Sequence, residues 1–262
     1  MTEFYDSLDY KELVDGSGNA VIPNNITEIR DYAFFGCQTL KSVTIHENVE
    51  KIGAGAFANC PNLSKILIPA NVKEFGVCPF CGSNLIVNVD KENKYYTIDG
   101  NCLIEIETSR LLYGHANSII PNYVKEIASH AFENRLSLIS IEIPDSVKTI
   151  GSYAFSGCLS LKNIKLSQGL ETINREAFSG CSSLLKIELP ESLKEIGYGS
   201  FMGCGSLSSI CLPNNISKIV TDTFTDCSSL EDVYIPNSVR YIAEDAFEGC
   251  PCKERIQLLR RS

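Results

Sequence analysis

A repeat of 23 residues constrains the fold of this chain more than any other feature of its sequence. Each copy has a phenylalanine at the same position, and in most copies it follows an alanine. These residues are Phe34, Phe57, Phe80, Phe132, Phe155, Phe178, Phe201, Phe224 and Phe247. Every step between them is 23 residues except the step from Phe80 to Phe132, which is 52. A period of this length is the sequence signature of a repeat protein, so we predict a stack of similar units.

One copy illustrates the structure that we expect of each unit. The alternation of apolar and polar residues at Ile187, Glu188 and Leu189 predicts a short, half-buried strand. Pro190 ends this strand because proline cannot donate to a central β-ladder. Phe201 is predicted to follow in a short helical turn and to fill the core of its unit. Stacking aligns equivalent apolar residues into one continuous core, so the repeat predicts a solenoid with parallel strands and about nine to ten coils.

The copies share the pattern Leu-x-x-Ile-x-Ile-Pro-x-x-Val-x-x-Ile-Gly-x-x-Ala-Phe-x-x-Cys. This pattern closely resembles the BspA-like (Treponema pallidum type) leucine-rich repeat, from about Ile22 to Cys250. The resemblance implies an α/β repeat fold, namely a right-handed, curved leucine-rich-repeat solenoid. It also implies a role in adhesion or protein binding, because many relatives are bacterial or protist surface proteins.

The repeat also predicts the domain organisation. We expect a single domain over residues 1–262, divided into an N-terminal cap (1–21), repeats (22–83), an enlarged irregular coil (84–118), further repeats (119–250) and a C-terminal capping helix or tail (251–262). Asp99-Gly100 lies between two β-prone runs and predicts a hairpin turn in the irregular coil. Similar inserts occur in BspA-like proteins. The enlarged coil is either a recognition protrusion or a tolerated insertion.

Seven of the twelve cysteines occupy one position of the repeat, three residues after the phenylalanine. They are Cys37, Cys60, Cys158, Cys181, Cys204, Cys227 and Cys250. We predict a buried ladder of thiols, because cysteine packs as a small hydrophobic residue. No disulfide is predicted within this ladder, since parallel stacking rarely directs neighbouring side chains as a disulfide requires.

A C-x-x-C motif at Cys78 and Cys81 is the one cysteine arrangement outside this pattern that suggests chemistry. Redox activity is one alternative, although the repeat lacks the βαβ context of thioredoxin-like sites. A zinc site is the other alternative, with Cys102 or His115 as a further ligand.

Several function classes have no support in the sequence. It contains no nucleotide-binding, hydrolase or metalloprotease motif, and its three histidines lie in different copies. We therefore predict that the protein is not an enzyme and needs no cofactor or metal. The net charge of -9 argues against nucleic-acid binding, and no apolar run is long enough to span a membrane. We expect a monomer with a protein partner.

The strand face is the usual partner surface of leucine-rich-repeat folds, as the resemblance implies. The outward position of each Ile-x-Ile strand gives the candidate binding residues Thr44, Leu67, Glu142, Lys165, Glu188, Cys211 and Tyr234. Tyr234 is the predicted aromatic anchor. The alternating charges of Glu142, Lys165 and Glu188 should compensate one another, which predicts no strongly charged ligand. A solvated face without a partner is the alternative.

These observations predict a non-enzymatic protein–protein interaction module. The alternative is a surface adhesin or host-factor-binding protein of the BspA-like type, exported without a classical signal or a fragment of an exported protein. Residues 1–6 lack the basic and apolar regions of a secretory signal. A complete chain is therefore expected to be cytoplasmic, and a cell-surface or secreted location is the alternative.

Overall fold

A computed structural model describes residues 9–259 of the chain. It divides into two compact units, Met1–Ile98 with Glu105–Glu107 and Asp99–Ile104 with Thr108–Ser262. Each unit is a solenoid of short parallel strands, and together they make about ten turns with little helix. The predicted fold class is therefore confirmed, while the predicted single domain stays a prediction. Residues 1–8 and 260–262 of the two predicted caps lie outside the described residues.

Each copy in the first unit contributes two short strands. The first strands of successive copies lie side by side in one column, and the second strands lie side by side in another. The first column contains β1 (Asn19–Val21), β3 (Ser42–Thr44), β5 (Lys65–Ile68) and β7 (Ile86–Val89), and the second contains β2 (Glu28–Ile29), β4 (Lys51–Ile52) and β6 (Glu74–Phe75). Asn19 pairs with Ser42, and Ile29 pairs with Ile52. In these pairs the register step equals the 23-residue repeat, so equivalent side chains stack directly on one another, whereas β5 pairs with β7 at a step of 21 residues.

A hairpin interrupts the repeat between the strands of the two units. Its strands are β8 (Tyr96–Asp99) and β9 (Cys102–Glu105), which are neighbours in their sheet. The turn residues Gly100 and Asn101 have φ values of 56° and 61°. A type I′ turn requires positive φ at both central positions, so the hairpin predicted at Asp99-Gly100 is confirmed.

The second unit repeats the same two columns and ends in a helix. Its elements are β10 (Arg110–Gly114), β11 (Glu126–Ile127), β12 (Ser140–Glu142), β13 (Thr149–Ile150), β14 (Asn163–Lys165), β15 (Thr172–Ile173), β16 (Glu195–Ile196), β17 (Ser209–Cys211), β18 (Lys218–Ile219), β19 (Asp232–Tyr234), β20 (Tyr241–Ile242) and α1 (Lys253–Leu259). Ile256 of α1 is buried in the same hydrophobic core as Phe247. α1 therefore packs against this core through Ile256. No helix in the described part of the chain combines the length and apolar character that a membrane crossing needs.

The second strand of each copy was missed by the sequence analysis. β16 is only two residues long, and it pairs in parallel with β15 through Thr172 opposite Glu195. Two residues are too short for an alternating pattern to be recognised. These strands form because the preceding and following copies supply their hydrogen-bond partners.

The predicted helical turn around each phenylalanine is wrong. In the copy of Phe178, the N–H of Phe178 donates to the carbonyl of Ser200 in the next copy (2.8 Å). Glu176 and Gly180 flank the ring residue with φ values of 50° and 71°. A right-handed helix needs negative φ throughout. The segment is instead a series of turns, and alternate N–H groups bond across to the neighbouring copy.

The phenylalanine rings form the centre of the core in both units. In the first unit, the ring centroids of Phe34 and Phe57 lie 5.2 Å apart, and the two planes are almost parallel. In the second unit, consecutive rings from Phe132 to Phe247 are stacked with centroids 5.0 to 5.5 Å apart. Stacking at this distance adds to the stabilisation from burial, so each ring joins its copy to the next.

Candidate functional site

The strand face of the second unit brings five of the predicted binding residues together. Glu142 lies opposite Lys165 in the register of β12 and β14, and Cys211 lies opposite Tyr234 in β17 and β19. Lys186 forms an isolated parallel β-bridge to β14, and Glu188 lies two residues after it. All five side chains are exposed, because the isoleucines between them on the strands point into the core.

The other two predicted residues lie on the strand face of the first unit. Thr44 is exposed opposite Val21, and Leu67 is exposed opposite Asn88. Val21 and Asn88 are exposed members of this column that the sequence analysis missed. The signal was present for Val21, which precedes Ile22-Pro23 in the same way that Glu142 precedes Ile143-Pro144.

A continuous groove runs along the strand face of the second unit. It consists of three hollows with volumes of about 610, 220 and 670 Å³. The first and second hollows share Asn163 and Lys165, and the second and third share Lys186 and Glu188. We call this surface the strand-face groove, and it is lined by Ile119, Ser140, Glu142, Asn163, Lys165, Lys186, Glu188, Ser209, Cys211, Asp232, Tyr234 and Arg255.

Apolar side chains mark both ends of the strand-face groove. Ile119 lies in the first hollow and is 76% exposed, whereas Tyr234 lies in the last hollow and is 56% exposed. The sequence analysis predicted Tyr234 but missed Ile119. The signal for Ile119 was its position before Ile120-Pro121, which the irregular stretch ahead of it obscured.

The charged side chains of the strand-face groove are paired with one another. Lys165 forms an ion pair with Glu142, and Lys186 Nζ lies 2.5 Å from Glu188 Oε1. The Lys186 ammonium group lowers the pKa of the Glu188 carboxyl, and the Glu142 carboxylate raises the pKa of Lys165. The negative charge of Glu188 is thus compensated by Lys186, which lies two residues earlier in the same copy. The sequence had suggested that Lys165 would compensate it.

A third pair closes the groove at its C-terminal end. Arg255 Nη2, which is supplied by α1, lies 3.5 Å from Asp232 Oδ1 and donates to the carbonyl of Glu231 (2.5 Å). The groove therefore contains three cations and three anions in pairs. Exposed pairs of this kind contribute little to stability. They leave hydroxyl, amide and apolar groups as the surface that a ligand would contact.

The cysteine ladder is buried and unbridged, as predicted, and it has a polar role that the sequence did not reveal. The Cys204 thiol donates to the carbonyl of Phe178 in the preceding copy (3.3 Å), and Cys181 donates likewise to Phe155 (3.2 Å). Ser83 takes the same position in its copy and donates to Phe57 (2.8 Å). These ladder side chains therefore satisfy a carbonyl group of the preceding copy in addition to filling space.

Burial also makes several of the ladder thiols poor nucleophiles. It raises the pKa of Cys60 to about 11 and the pKa of Cys158 and Cys204 to about 12. Because the thiolate is the reactive form, these cysteines are chemically inert near neutral pH. Cys211 in the strand-face groove is the one exposed free cysteine of the described residues.

The C-x-x-C motif forms a disulfide in the first unit. Cys78 and Cys81 are bonded, with their Cα atoms 5.3 Å apart. In the second unit, burial raises the pKa of the Cys102 thiol to about 11, and His115 Nδ1 lies 2.8 Å from Asn117 Oδ1. In the disulfide form, Cys78 and Cys81 have no thiolate with which to bind zinc.

Comparison with known proteins agrees with this architecture. The model of the BspA type leucine rich repeat region matches residues 17–124 and 125–254 in six copies. A leucine rich cell surface protein from Faecalibacterium prausnitzii A2-165 is 29% identical with a TM-score of 0.75, over 86% of this chain and 62% of its own. The pneumococcal vaccine antigen PcpA is 26% identical with a TM-score of 0.77, over 93% of this chain and 65% of its own.

A third solved structure shares the fold at lower identity. The leucine-rich repeat protein from Eubacterium ventriosum ATCC 27560 is 23% identical with a TM-score of 0.62, over 89% of this chain and 82% of its own. The chain spans less than two thirds of the length of the first two structures. No curated protein matches the sequence. The family match covers most of the chain and coincides with the stacked copies, so the chain belongs to the BspA-type leucine-rich repeat family.

Proposed function

We propose that this chain is a non-enzymatic protein-interaction module and that the strand-face groove binds its partner. The observation that carries the proposal is a continuous groove with an exposed apolar residue at each end and internally paired charges between them. BspA-type solenoids are generally non-enzymatic scaffolds. Stacked repeats present extended surfaces, which suit long contacts with another protein.

The dimensions of the groove favour an extended segment of the partner. Ile119 and Tyr234 are separated by five steps of the repeat, and parallel strands are spaced about 4.8 Å apart, so the two side chains are separated by about 24 Å. An extended chain of about seven residues spans this distance. We propose that the partner segment has one apolar side chain near each end, and that its uncharged polar groups contact Asn163, Ser140 and Ser209 between them.

A double variant of the two apolar ends tests this function. Peptides selected from a display library against the intact chain would be measured against Ile119→Ser/Tyr234→Ser by fluorescence polarisation. We expect binding to weaken at least tenfold, because both anchors lose their apolar contact area. The matched control is Leu136→Ser/Tyr241→Ser, whose side chains are 57% and 58% exposed outside the groove. Equal binding by wild type and Ile119→Ser/Tyr234→Ser would refute the proposed site.

A charge variant separates the two kinds of contact. Glu142→Ala/Lys165→Ala/Glu188→Ala removes charges that are exposed and paired, so the fold should be retained. If apolar anchors dominate, peptide binding should change by less than about threefold. A loss as large as that of Ile119→Ser/Tyr234→Ser would mean that the charged centre of the groove provides the recognition.

A surface-binding role is the second candidate function. The observation that favours it is the likeness to a Faecalibacterium prausnitzii protein described as a cell surface protein. Antibody labelling of intact source cells would test this location, with permeabilised cells as the control. Labelling only after permeabilisation would favour an intracellular partner for the same groove.

A further inference from the structure

In several copies, the turn around the phenylalanine places two side chains next to each other. They belong to the residue two positions before the ring and the residue one position after it. Tyr32 and Phe35 are in edge contact with ring centroids 5.8 Å apart, and Thr225 Oγ1 donates to Asp222 Oδ1 (3.0 Å). The first residue of each pair has left-handed backbone geometry, with φ values of 59° for Tyr32 and 56° for Asp222. The backbone of the repeat thus positions a side-chain pair in advance.

Cys78 and Cys81 occupy these two positions in their copy. Cys78 has the same left-handed geometry, with a φ value of 59°. The Cα atoms are 5.3 Å apart, within the usual range for a disulfide of about 4.4–6.8 Å. The bond therefore forms on the turn geometry that other copies use for ring contacts and hydrogen bonds. Its formation requires no departure from the repeat.

Cys78 and Cys81 differ from the cysteines of the ladder in solvent exposure and in the group that each sulfur contacts. Cys78 and Cys81 are each half-buried, whereas every ladder thiol is buried. The ladder thiols are unbridged, and those of Cys181 and Cys204 each donate to a carbonyl group of the preceding copy. Thiol–disulfide exchange needs access to sulfur and a thiolate, and burial limits both at Cys158 and Cys204.

We propose that Cys78 and Cys81 form a reversible thiol–disulfide exchange site whose co-reactant is a small disulfide of the glutathione class. In the oxidising direction, one cysteine thiolate attacks glutathione disulfide, forms a mixed disulfide and expels one glutathione thiolate. The second cysteine thiolate then attacks the protein sulfur of the mixed disulfide. This step closes the Cys78–Cys81 bond and releases the second glutathione. Two electrons pass to glutathione disulfide, the two cysteines lose their protons, and two glutathione molecules reverse the reaction.

Counting accessible thiols by mass spectrometry tests the proposal on the intact chain. The oxidised native protein should react with one maleimide, at Cys211. Mild reduction without denaturant should raise the count to three, because Cys78 and Cys81 become accessible while the ladder stays buried. Cys78→Ser/Cys81→Ser is the matched control and should give one before and after reduction. Cys211→Ser should give none before reduction and two after it.

Reoxidation establishes whether the site is reversible. After removal of the reductant, glutathione disulfide should lower the count of Cys211→Ser from two back to none without adding the mass of glutathione, whereas Cys78→Ser/Cys81→Ser should gain a single glutathione at Cys211. The oxidised wild type should also unfold at a higher urea concentration than the reduced form, because a cross-link restricts the unfolded chain. Cys78→Ser/Cys81→Ser should show no such difference.

Three results would overturn the proposal. The first is labelling of Cys78 or Cys81 in the oxidised protein before reduction. The second is a Cys211→Ser count that stays at two in the presence of excess glutathione disulfide. The third is exposure of the two thiols by a zinc chelator in the absence of reductant, which would identify a metal site. None of these results would bear on the strand-face groove, whose peptide binding is measured separately.

Discussion

Replacing Phe178 with alanine tests whether the phenylalanine stack joins neighbouring copies. The ring is fully buried, and its centroid lies 5.3 Å from that of Phe155 and 5.5 Å from that of Phe201. Burial of such a side chain contributes about 1.5–3 kcal/mol, and each stacked contact adds about 0.5–1.5 kcal/mol. We therefore expect the free energy of unfolding to fall by about 3–5 kcal/mol, the usual cost of Phe→Ala in a core.

Urea unfolding followed by far-UV circular dichroism measures this loss. Because copies interact mainly with their neighbours, the cavity should also weaken the coupling between the two sides of the variant copy, which would lower the m-value. Leu185→Ala is the control in the same unit, since that side chain is 52% exposed and should cost less than about 0.5 kcal/mol. A loss below about 1 kcal/mol for Phe178→Ala with an unchanged m-value would refute the anchor role.

Three further predictions concern the thiol ladder and the packing of the enlarged coil. Cys204→Ala should lower the free energy of unfolding by about 1–2 kcal/mol. Cys204→Ser should lower it less, because Ser83 already makes the same bond to a phenylalanine carbonyl. Equal losses in urea unfolding would contradict the donor role. Burial raises the pKa of Cys204 from its ordinary 9.0 to about 12. The unfolded chain therefore loses this proton first, and stability should fall as pH rises from about 9 to about 12. A urea midpoint that is constant over this window would argue against the shift. Gly114→Ala would place a Cβ atom 2.1 Å from Cε1 of Phe132 and should cost about 1–3 kcal/mol. Gly16→Ala meets nothing within 4 Å and should leave the thermal midpoint unchanged, and equal midpoints for both variants would contradict the packing argument.

The strand positions and the core were predictable because they repeat. Ile187 and Phe201 have equivalents in other copies, and a residue that meets the same surroundings in each copy leaves a periodic trace in the sequence. The two-residue strands left no such trace. Glu195 of β16 is in a strand only because Thr172 of the preceding copy pairs with it.

The candidate site was predictable only in part. The outward positions at Glu142, Lys165 and Tyr234 follow from the period of two along a strand. Ile119 was missed because the enlarged coil hides its register, and Arg255 was missed because α1 lies outside the repeat. The positions of Ile119 and Arg255 in the groove depend on the path by which the chain returns to the strand face. No local sequence pattern predicts that path.

The 23-residue period by itself determined which residues stack and which face the solvent, because identical coils offer equivalent surroundings to equivalent positions. Only the tertiary structure decided which polar groups meet between copies. The Cys204 thiol meets a carbonyl group 26 residues earlier in the chain, and Arg255 meets Asp232 across the end of the groove. The physical reason is that burial follows from apolar periodicity, whereas a hydrogen bond depends on the distance and direction between two particular atoms.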